Sequence, residues 1–309
     1  MSALGELQKL RSQPSGGGPK RDNRAALFFL APWFVGLLLI TAGPVIASLV
    51  LGFTDYNLIQ PPKFNGVDNF TRMISDARLH HSLRVTFVYV AISVPLQLTF
   101  ALGLAMLLDR GLRGLAFYRS AFYLPSLLGS SVAIAVLWRQ IFGANGLINQ
   151  ALGAIGIESQ DSWIASPGTA LSTLIVLNVW TFGAPMIIFL AGLRQIPTMY
   201  YEAAAIDGAG RWAMFWRVTL PLLSPIIFFN LVLQVIHAFQ SFTQAFVVSA
   251  GTGGPSDSTL FYTVYLYQRG FNNFDMGYAS ALAWLLLMII AAFTVVNFWA
   301  ARFWVFYDD

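Results

Sequence analysis

Residues 194–225 read RQIPTMYYEAAAIDGAGRWAMFWRVTLPLLSP. Tyr200–Ile206 is rich in good helix formers and predicts a helix, with Glu202 in its first turn, where an acid suits the positive end of the dipole. Gly208 breaks this helix by supplying a positive φ. Arg211–Leu220 then carries aromatic residues at helical spacing. The stretch therefore predicts a helix–Gly–helix element.

This element lies in a chain whose composition is typical of membrane proteins. The 309 residues are 57% hydrophobic and only 10% charged, whereas soluble domains carry about 25% charged residues. Lipid must therefore cover much of the surface, and each span needs about 20 apolar residues. The apolar runs are continuous rather than alternating, which favours helices over a β-barrel.

Six apolar runs are long enough to be spans. Their predicted bounds are 25–52, 83–108, 118–139, 169–193, 221–249 and 278–303. We therefore expect an all-α polytopic protein with a disordered basic tail at 1–24, a transmembrane domain at 25–309 and a loop at 194–220. Leu147–Ile157 is too short for a span and is predicted to lie at the surface.

The basic residues predict which side each loop faces. Of the 18 Lys and Arg residues, 12 fall on the side of both termini and the 194–220 loop, and six fall on the other side. The positive-inside rule then predicts that both termini and this loop are cytoplasmic. Membrane topology explains the net charge of +4 without any nucleic acid partner.

The fifth span carries a stripe of polar residues at a spacing of three or four: Asn230, Gln234, His237, Ser241 and Gln244. Asn178, Trp180 and Thr181 of the fourth span can face it. Polar residues within spans often line a pathway, and amides beside an aromatic ring suit a sugar. The alternative is that they join helices, at about 0.6 kcal/mol each. The regular stripe favours a pathway, although His237 alone, without an acid partner, suits a structural bond.

The sequence contains no pattern that indicates an enzymatic activity of this chain. Cysteine is absent, the Ser, His and Asp residues show no catalytic spacing, and no GxxxxGK phosphate loop occurs. We predict no catalytic residue, no metal ligand and no hydrolysis of ATP by this chain.

The residues alone support two interpretations of the 194–220 loop equally. It is either an amphipathic hairpin that braces the bundle or an element that docks on a partner. Its order of residues, however, resembles the EAA loop of binding-protein-dependent ABC importer permeases. The matching positions are Glu202, Ala203, Ala204, Asp207, Gly208, Ala209, Phe215, Leu220 and Pro221. The resemblance implies that Glu202, Ala203, Ala204, Asp207, Gly208 and Ala209 couple this chain to an ATPase subunit.

The resemblance covers most of the chain after residue 27. FNGVDNF, YRSAFYLPSLL, NVWTFGAPMIIFLAGLRQIP and the GGP-containing segment before the sixth span resemble sugar permeases. The GGP-containing pattern is more similar to the first permeases of the maltose and glycerol-3-phosphate transporters than to the second permeases of those transporters. Thr243–Gln244 departs from it, because many members have an aromatic residue and Asp there. The implied fold is that of type I ABC importer permeases.

This resemblance also implies partners. A second homologous permease, two ATPase subunits that hold ATP and magnesium, and an extracytoplasmic solute-binding protein would complete an importer of a sugar-like solute in the bacterial cytoplasmic membrane. No cofactor is expected on this chain. The alternatives are an ion-coupled secondary transporter, which would need ionisable residues in the spans, and a membrane enzyme. The sequence does not name the solute.

Overall fold

The structure is a computed structural model that describes residues 22–110, 114–157 and 161–306, with side chains from residue 27 onward. The predicted disordered tail at 1–24 therefore lies almost wholly outside the described residues. The chain forms two units, and the boundary between them falls between Val50 and Leu51.

The described part of the first unit is one continuous helical run, which ends one residue past the boundary: α1 Asp22–Gly36, a π-helical segment Leu37–Ala42 and α2 Gly43–Leu51. This run covers nearly all of the stretch predicted as the first span, 25–52. The amide N–H of Gly43 bonds to the carbonyl oxygen of Leu38, five residues earlier. This wider turn precedes Pro44, whose ring has no N–H and crowds the preceding turn of an α-helix.

The second unit contains a short antiparallel sheet and thirteen further α-helices within the described ranges. Strands β1 Thr54–Asp55 and β2 Lys63–Phe64 pair with Thr54 opposite Phe64. The helices are α3 Asp68–Ser75, α4 Ala77–Asp109, α5 Leu115–Leu128, α6 Val132–Ile141, α7 Leu147–Ala154, α8 Ala170–Trp180, α9 Gly183–Leu193, α10 Thr198–Ile206, α11 Arg211–Met214, α12 Leu220–Phe239, α13 Thr243–Val248, α14 Tyr262–Tyr267 and α15 Met276–Trp304. Phe215–Thr219 and Gln268–Asn272 are π-helical, and Pro255–Asp257 is 3₁₀.

Four described helical segments are long and apolar enough to cross a membrane: Leu27–Leu51, Ala77–Asp109, Arg211–Val248 and Met276–Trp304. Two bent pairs, α5 with α6 and α8 with α9, bring the number to six when each pair counts as one span. The predicted all-α class is confirmed. Helix α4 lies at the centre, where it packs against α8, α9, α12 and α14.

Helix α4 begins six residues before the predicted start at residue 83. Asp76 caps it, because its Oδ1 accepts hydrogen bonds from the amides of Arg78 and Leu79 at 3.1 Å each. A capping aspartate satisfies amides that have no partner within the helix. The polar first turns therefore belong to the helix although they look like a loop by hydropathy.

The run predicted as the third span, 118–139, is interrupted by a sharp bend that the sequence did not indicate. Helices α5 and α6 meet at an angle of 95°. Gly129 and Ser130 lie in the break, and Ser131 begins the new helix by accepting the Ile134 amide on its Oγ at 3.3 Å. Small and capping residues stop a helix without lowering the hydropathy of the run much, so the apolar pattern hides the break.

The fourth and fifth spans are also interrupted. Helices α8 and α9 are bent by 42° at Thr181–Phe182. The helix of the fifth span ends at Phe239, and α13 begins at Thr243 after three non-helical residues. Gly183 allows a close approach at the first of these bends, because a Cβ there would lie 2.4 Å from the carbonyl oxygen of Phe122 in α5.

In the 194–220 loop the predicted turn at Gly208 is confirmed, with φ +78°. The Ala209 amide bonds to the Ala204 carbonyl at 2.9 Å and the Gly208 amide to the Ala205 carbonyl at 3.1 Å, which is the Schellman pattern that ends helices. Two details are wrong. Helix α10 begins at Thr198, so Glu202 is not in its first turn, and α11 continues through the π segment into α12 instead of forming a separate arm.

Candidate functional site

A cavity of about 430 Å³ lies among the second to fifth spans of the second unit. Its lining includes five of the seven residues predicted for a solute pathway: Asn178, Gln234, His237, Ser241 and Gln244. Gln97, Ser126, Ser130, Thr181, Ala184, Pro185, Gln240, Phe242 and Thr243 complete it. Most of its lining residues are therefore polar, and none of the described residues that line it is Lys, Arg, Asp or Glu.

All three breaks within the spans of the second unit meet this cavity. Ser130 comes from the third-span break, Thr181 from the fourth-span bend, and the residues from Gln240 to Thr243 come from the fifth-span break. Breaks expose backbone groups that a continuous helix would pair, which a membrane tolerates only beside protein or a water-filled space. Discontinuous helices also commonly form the solute sites of transporters.

One side of the cavity is held together by hydrogen bonds between side chains and the fourth-span bend. Gln97 Nε2 donates to the carbonyl oxygen of Thr181 at 3.2 Å and to its Oγ1 at 3.0 Å. Asn178 Nδ2 donates to Gln97 Oε1 at 3.2 Å, and Ser126 Oγ donates to the Thr181 carbonyl at 2.8 Å. These four residues use much of their hydrogen-bonding capacity to join three spans.

The opposite side of the cavity carries polar side chains that are not engaged. Gln234, His237 and Gln240 follow one another at a spacing of three on α12 and at its end. Within the described part of the chain none of them makes a side-chain hydrogen bond, and the side chains of His237 and Gln240 are exposed. Their donors and acceptors are therefore available to a bound molecule.

Two predicted pathway residues lie elsewhere. Trp180 is partly buried and packs against the core, with its ring 5.9 Å from that of Trp138. Asn230 is completely buried, and neither of its amide atoms has a hydrogen-bond partner among the described residues. Sequence reasoning missed Gln97, Ser126, Ser130 and Thr243, although a polar residue such as Gln97 within an apolar run was a usable signal.

The 194–220 loop presents an exposed surface. Glu202, Ala203, Asp207 and Gly208 are exposed, whereas Ala204 and Ala209 are partly buried. The same loop also exposes large apolar side chains: Ile206 is 87% exposed and Trp212 is 73% exposed. Exposed apolar groups interspersed with charges are typical of interaction sites.

The loop is joined to the bundle at a few points. Tyr201 Oη and Thr219 Oγ1 share a hydrogen bond of 3.1 Å, and Arg194 pairs with Asp109, the last residue of α4, at 3.4 Å. The loop therefore lies at the end of the bundle where α4 finishes. At the other end of α4, about 50 Å away by helix rise, lies Asp76.

Asp76, Tyr265, Arg269 and Tyr278 form what we term the Asp76 cluster. Asp76 Oδ2 accepts hydrogen bonds from Tyr265 Oη and, at 2.7 Å, from Tyr278 Oη, and it pairs with Arg269 Nη2 at 3.4 Å. Desolvation raises the pKa of the Asp76 carboxyl, but the hydrogen bonds from Tyr265, Tyr278 and the Leu79 amide, together with the Arg269 charge, hold it below its usual value.

A second carboxylate at this end is held by Arg78. Its Nε and Nη2 donate to the two carboxylate oxygens of Asp257 at 2.9 Å each. These bonds lower the pKa of Asp257. Asp257 itself has a positive φ of 57°, so the pair fixes a turn in an uncommon backbone conformation. Together with the Asp76 cluster it ties the start of α4 to the chain between α13 and α15.

Comparison with known proteins identifies the family. Residues 82–304 match the family described as the binding-protein-dependent transport system inner membrane component. The chain belongs to this family. It is the membrane permease subunit of an ABC importer, and ATP hydrolysis is the task of a partner subunit. The secondary-transporter and membrane-enzyme alternatives are thereby excluded.

Relatives of this permease match it over most of their length. The probable ABC transporter permease protein YesP of Bacillus subtilis is 50% identical over 291 residues, which are 94% of each chain. LacF, a lactose transport system permease protein of Rhizobium radiobacter, is 32% identical over 89% of this chain and 93% of its own. UgpA, an sn-glycerol-3-phosphate transport system permease protein of Yersinia pseudotuberculosis, is 34% identical over 88% of each.

Solved structures agree with the fold of the permease. A bacterial ABC transporter that imports the acidic polysaccharide alginate superposes with a TM-score of 0.78 at 21% identity, covering 92% of this chain and 96% of that one. The alginate transporter in complex with a periplasmic protein bound to an alginate pentasaccharide gives a TM-score of 0.76. The predicted type I importer permease fold is confirmed.

Proposed function

We propose that the permease imports a neutral carbohydrate and that the polar cavity is its part of the solute path. The observation that carries this proposal is the row Gln234, His237 and Gln240, which offers free donors and acceptors inside a cavity built from helix breaks. Relatives named for lactose transport and for the transport of starch degradation products support the carbohydrate class.

Lys, Arg, Asp and Glu are missing from the part of the cavity lining that the structure describes, which favours a neutral solute over an anionic one. An anion in a low-dielectric site needs a counter-charge, whereas the hydroxyl groups of a sugar pair well with amides. The relative named for glycerol-3-phosphate transport and the structurally similar alginate transporter provide the contrasting solute class for a test.

We propose further that the 194–220 loop is cytoplasmic and docks on an ATPase subunit. The excess of Lys and Arg on the side of this loop supports the orientation. The exposed Glu202, Asp207, Ile206 and Trp212 support the docking. In this account the complete importer contains a second permease, two ATPase subunits that bind ATP and magnesium, and an extracytoplasmic solute-binding protein.

The mechanical consequence follows from the connections of the loop. Helix α10 follows α9 after four residues, and α11 continues into α12. When ATP binding closes the ATPase subunits, a docked α10 would move with them as a rigid body, and α9 and α12 would move with it. Because the cavity lies between these two spans, such rocking would change the side to which it opens.

Filling the cavity tests its role. Gln234→Trp should abolish uptake of labelled carbohydrate by the assembled transporter, because the indole would occupy the space of the solute. Val295→Trp is the matched control, since Val295 is 67% exposed on α15 and does not line the cavity. Parental uptake by the Gln234→Trp variant would refute the proposed path.

The solute class has a separate test. Thermal-shift screening of the cognate binding protein should give stabilisation by neutral sugars and none by glycerol-3-phosphate or alginate fragments. A response to the anionic compounds alone would overturn the neutral class without touching the assignment of the cavity as the path.

A further inference from the structure

Gln244 joins two of the helix breaks at the cavity. It lies in the first turn of α13, directly after the fifth-span break, and its Nε2 donates a hydrogen bond of 3.1 Å to the carbonyl oxygen of Gly129. Gly129 lies in the third-span break. The two residues are 115 positions apart in sequence, so this bond fixes how close the two breaks lie in space.

The third-span break is at the same time pressed against the fourth-span bend. A Cβ on Gly129 would lie 2.1 Å from Cγ2 of Thr181, and only glycine permits so close an approach. The carbonyl of Thr181 accepts bonds from Gln97 and Ser126. The third- and fourth-span breaks therefore form one tightly connected wall, and Gln244 attaches the fifth span to it.

The oxygen of the Gln244 side-chain amide, Oε1, faces the fifth-span break. Ser241 Oγ donates to Gln244 Oε1 at 3.4 Å, and the Ser241 carbonyl accepts a hydrogen bond from Thr263 of α14. Helix α14 also carries Tyr265 of the Asp76 cluster. Gln244 thus lies between Ser241, which is bonded to α14, and the wall of the cavity, and its own side chain lines that cavity.

We propose that Gln244 is a positioning residue of transport, which holds the third- and fifth-span breaks together in the solute-free permease. A carbohydrate hydroxyl offers the same donor and acceptor as this amide. Solute entering the cavity competes for the Gly129 carbonyl and for the Gln244 amide, and so releases α13 from the wall. Solute occupancy is thereby linked to movement of the fifth span. The inference rests on the proposed role of the cavity as the solute path.

The connection is tested in the complete transporter, reconstituted into proteoliposomes with its partner subunits. Gln244→Met keeps the length of the side chain and removes its hydrogen-bonding groups, and Gln244→Glu keeps the shape and removes the donor. Gln150→Met is the matched control, because Gln150 Nε2 makes the same kind of bond, 3.1 Å to the Asn145 carbonyl, outside the cavity.

The measurement is the number of ATP molecules hydrolysed per solute imported. Without the Gln244 bond, α13 is released from the wall even when no solute is bound, so ATP is hydrolysed without import. Loss of one hydrogen bond of ordinary strength therefore predicts a rise of about three- to tenfold in this ratio for both Gln244 variants. Gln150→Met should keep the parental ratio. A purely structural role would lower the amount of assembled transporter and leave the ratio unchanged, which would overturn the proposal. Failure of the cavity as the path would appear instead as normal uptake by Gln234→Trp.

Discussion

The two ends of the permease use their polar groups in opposite ways. At the end that holds the Asp76 cluster, arginines, aspartates and tyrosines bind one another, with Arg72–Asp275, Arg78–Asp257 and Arg269–Asp76 as ion pairs. At the end that holds the 194–220 loop, Arg194 pairs with Asp109, but the acidic Glu202 and Asp207 are exposed, as are Ile206 and Trp212. The first end is stabilised by bonds between its own side chains, whereas the second exposes groups that can bind a partner.

This difference predicts that substitutions at the two ends have different consequences. Changes in the Asp76 cluster should lower the stability of the isolated permease. Replacing the exposed charged and apolar side chains of the loop should leave that stability intact and remove transport. Four predictions test the distinction, in order of decreasing effect.

The largest effect is expected for Glu202→Lys. Reversing an exposed charge on the docking face should abolish uptake, because the partner surface would meet the wrong sign of charge. The isolated variant should keep its parental Tm in detergent and its parental amount in the membrane. Uptake at the parental rate would contradict the docking role, and a strong fall in Tm would contradict the contrast between the ends.

Asp76→Asn should destabilise the isolated permease by about 2–3 kcal/mol, because the hydrogen bonds that converge on a charged, nearly buried acceptor lose their strength. The side chain of Asp76 is only 8% exposed. Asparagine still caps a helix, so the loss would report the cluster itself. Asp68→Asn serves as the control, since Asp68 is exposed and makes no ion pair within the described residues, and it should leave Tm unchanged.

Gly208→Val should weaken the end of α10 by about 1–2 kcal/mol, because a φ of +78° strains a β-branched residue. Gly208→Asn should be tolerated much better, since asparagine adopts this conformation more readily. Uptake assays on the two variants would give reduced transport for Val and near-parental transport for Asn. Equal activity of the two would show that the shape of the turn is unimportant for coupling.

Acid should weaken the Asp76 end selectively. In the folded protein the pKa values of Asp76 and Asp257 lie below the usual aspartate value. The folded protein therefore binds a proton on these two carboxylates less tightly than the unfolded chain does. The resulting stabilisation is complete above the usual aspartate pKa of about 4 and is lost as the pH falls below it. The Tm should fall on acidification in that range, and Asp76→Asn should reduce the slope. A parental slope in Asp76→Asn would contradict the claim that the Asp76 carboxylate causes part of this pH dependence.

Much of the architecture could be predicted from local sequence. The six apolar runs are visible because a span must be long and apolar, and the turn at Gly208 is visible because few residues accept a positive φ. The breaks at Gly129–Ser131 and at Gln240–Phe242 were missed, since hydropathy averages over a window and small residues scarcely change it. These two breaks and the fourth-span bend at Thr181 all contribute to the lining of the cavity.

The pathway stripe was predicted in part for a related reason. Helical spacing places Asn230 on the same face as Gln234, but it does not show where along that face the neighbouring helices close in, and Asn230 proves to be buried. The Asp76 cluster was not predictable in this way, because Asp76 and Tyr265 are 189 positions apart. Pairings over such distances depend on tertiary packing, which one sequence does not reveal.

The most direct test of the contrast between the ends uses the lack of cysteine in the permease. Single cysteines at Ile206 in the loop and at Phe64 at the other end, which are 87% and 81% exposed, are labelled with a membrane-impermeant maleimide. Our account predicts that Ile206→Cys reacts in the isolated permease and is protected once the ATPase subunits are assembled, while Phe64→Cys reacts equally in both. Equal labelling of Ile206→Cys before and after assembly would contradict the account.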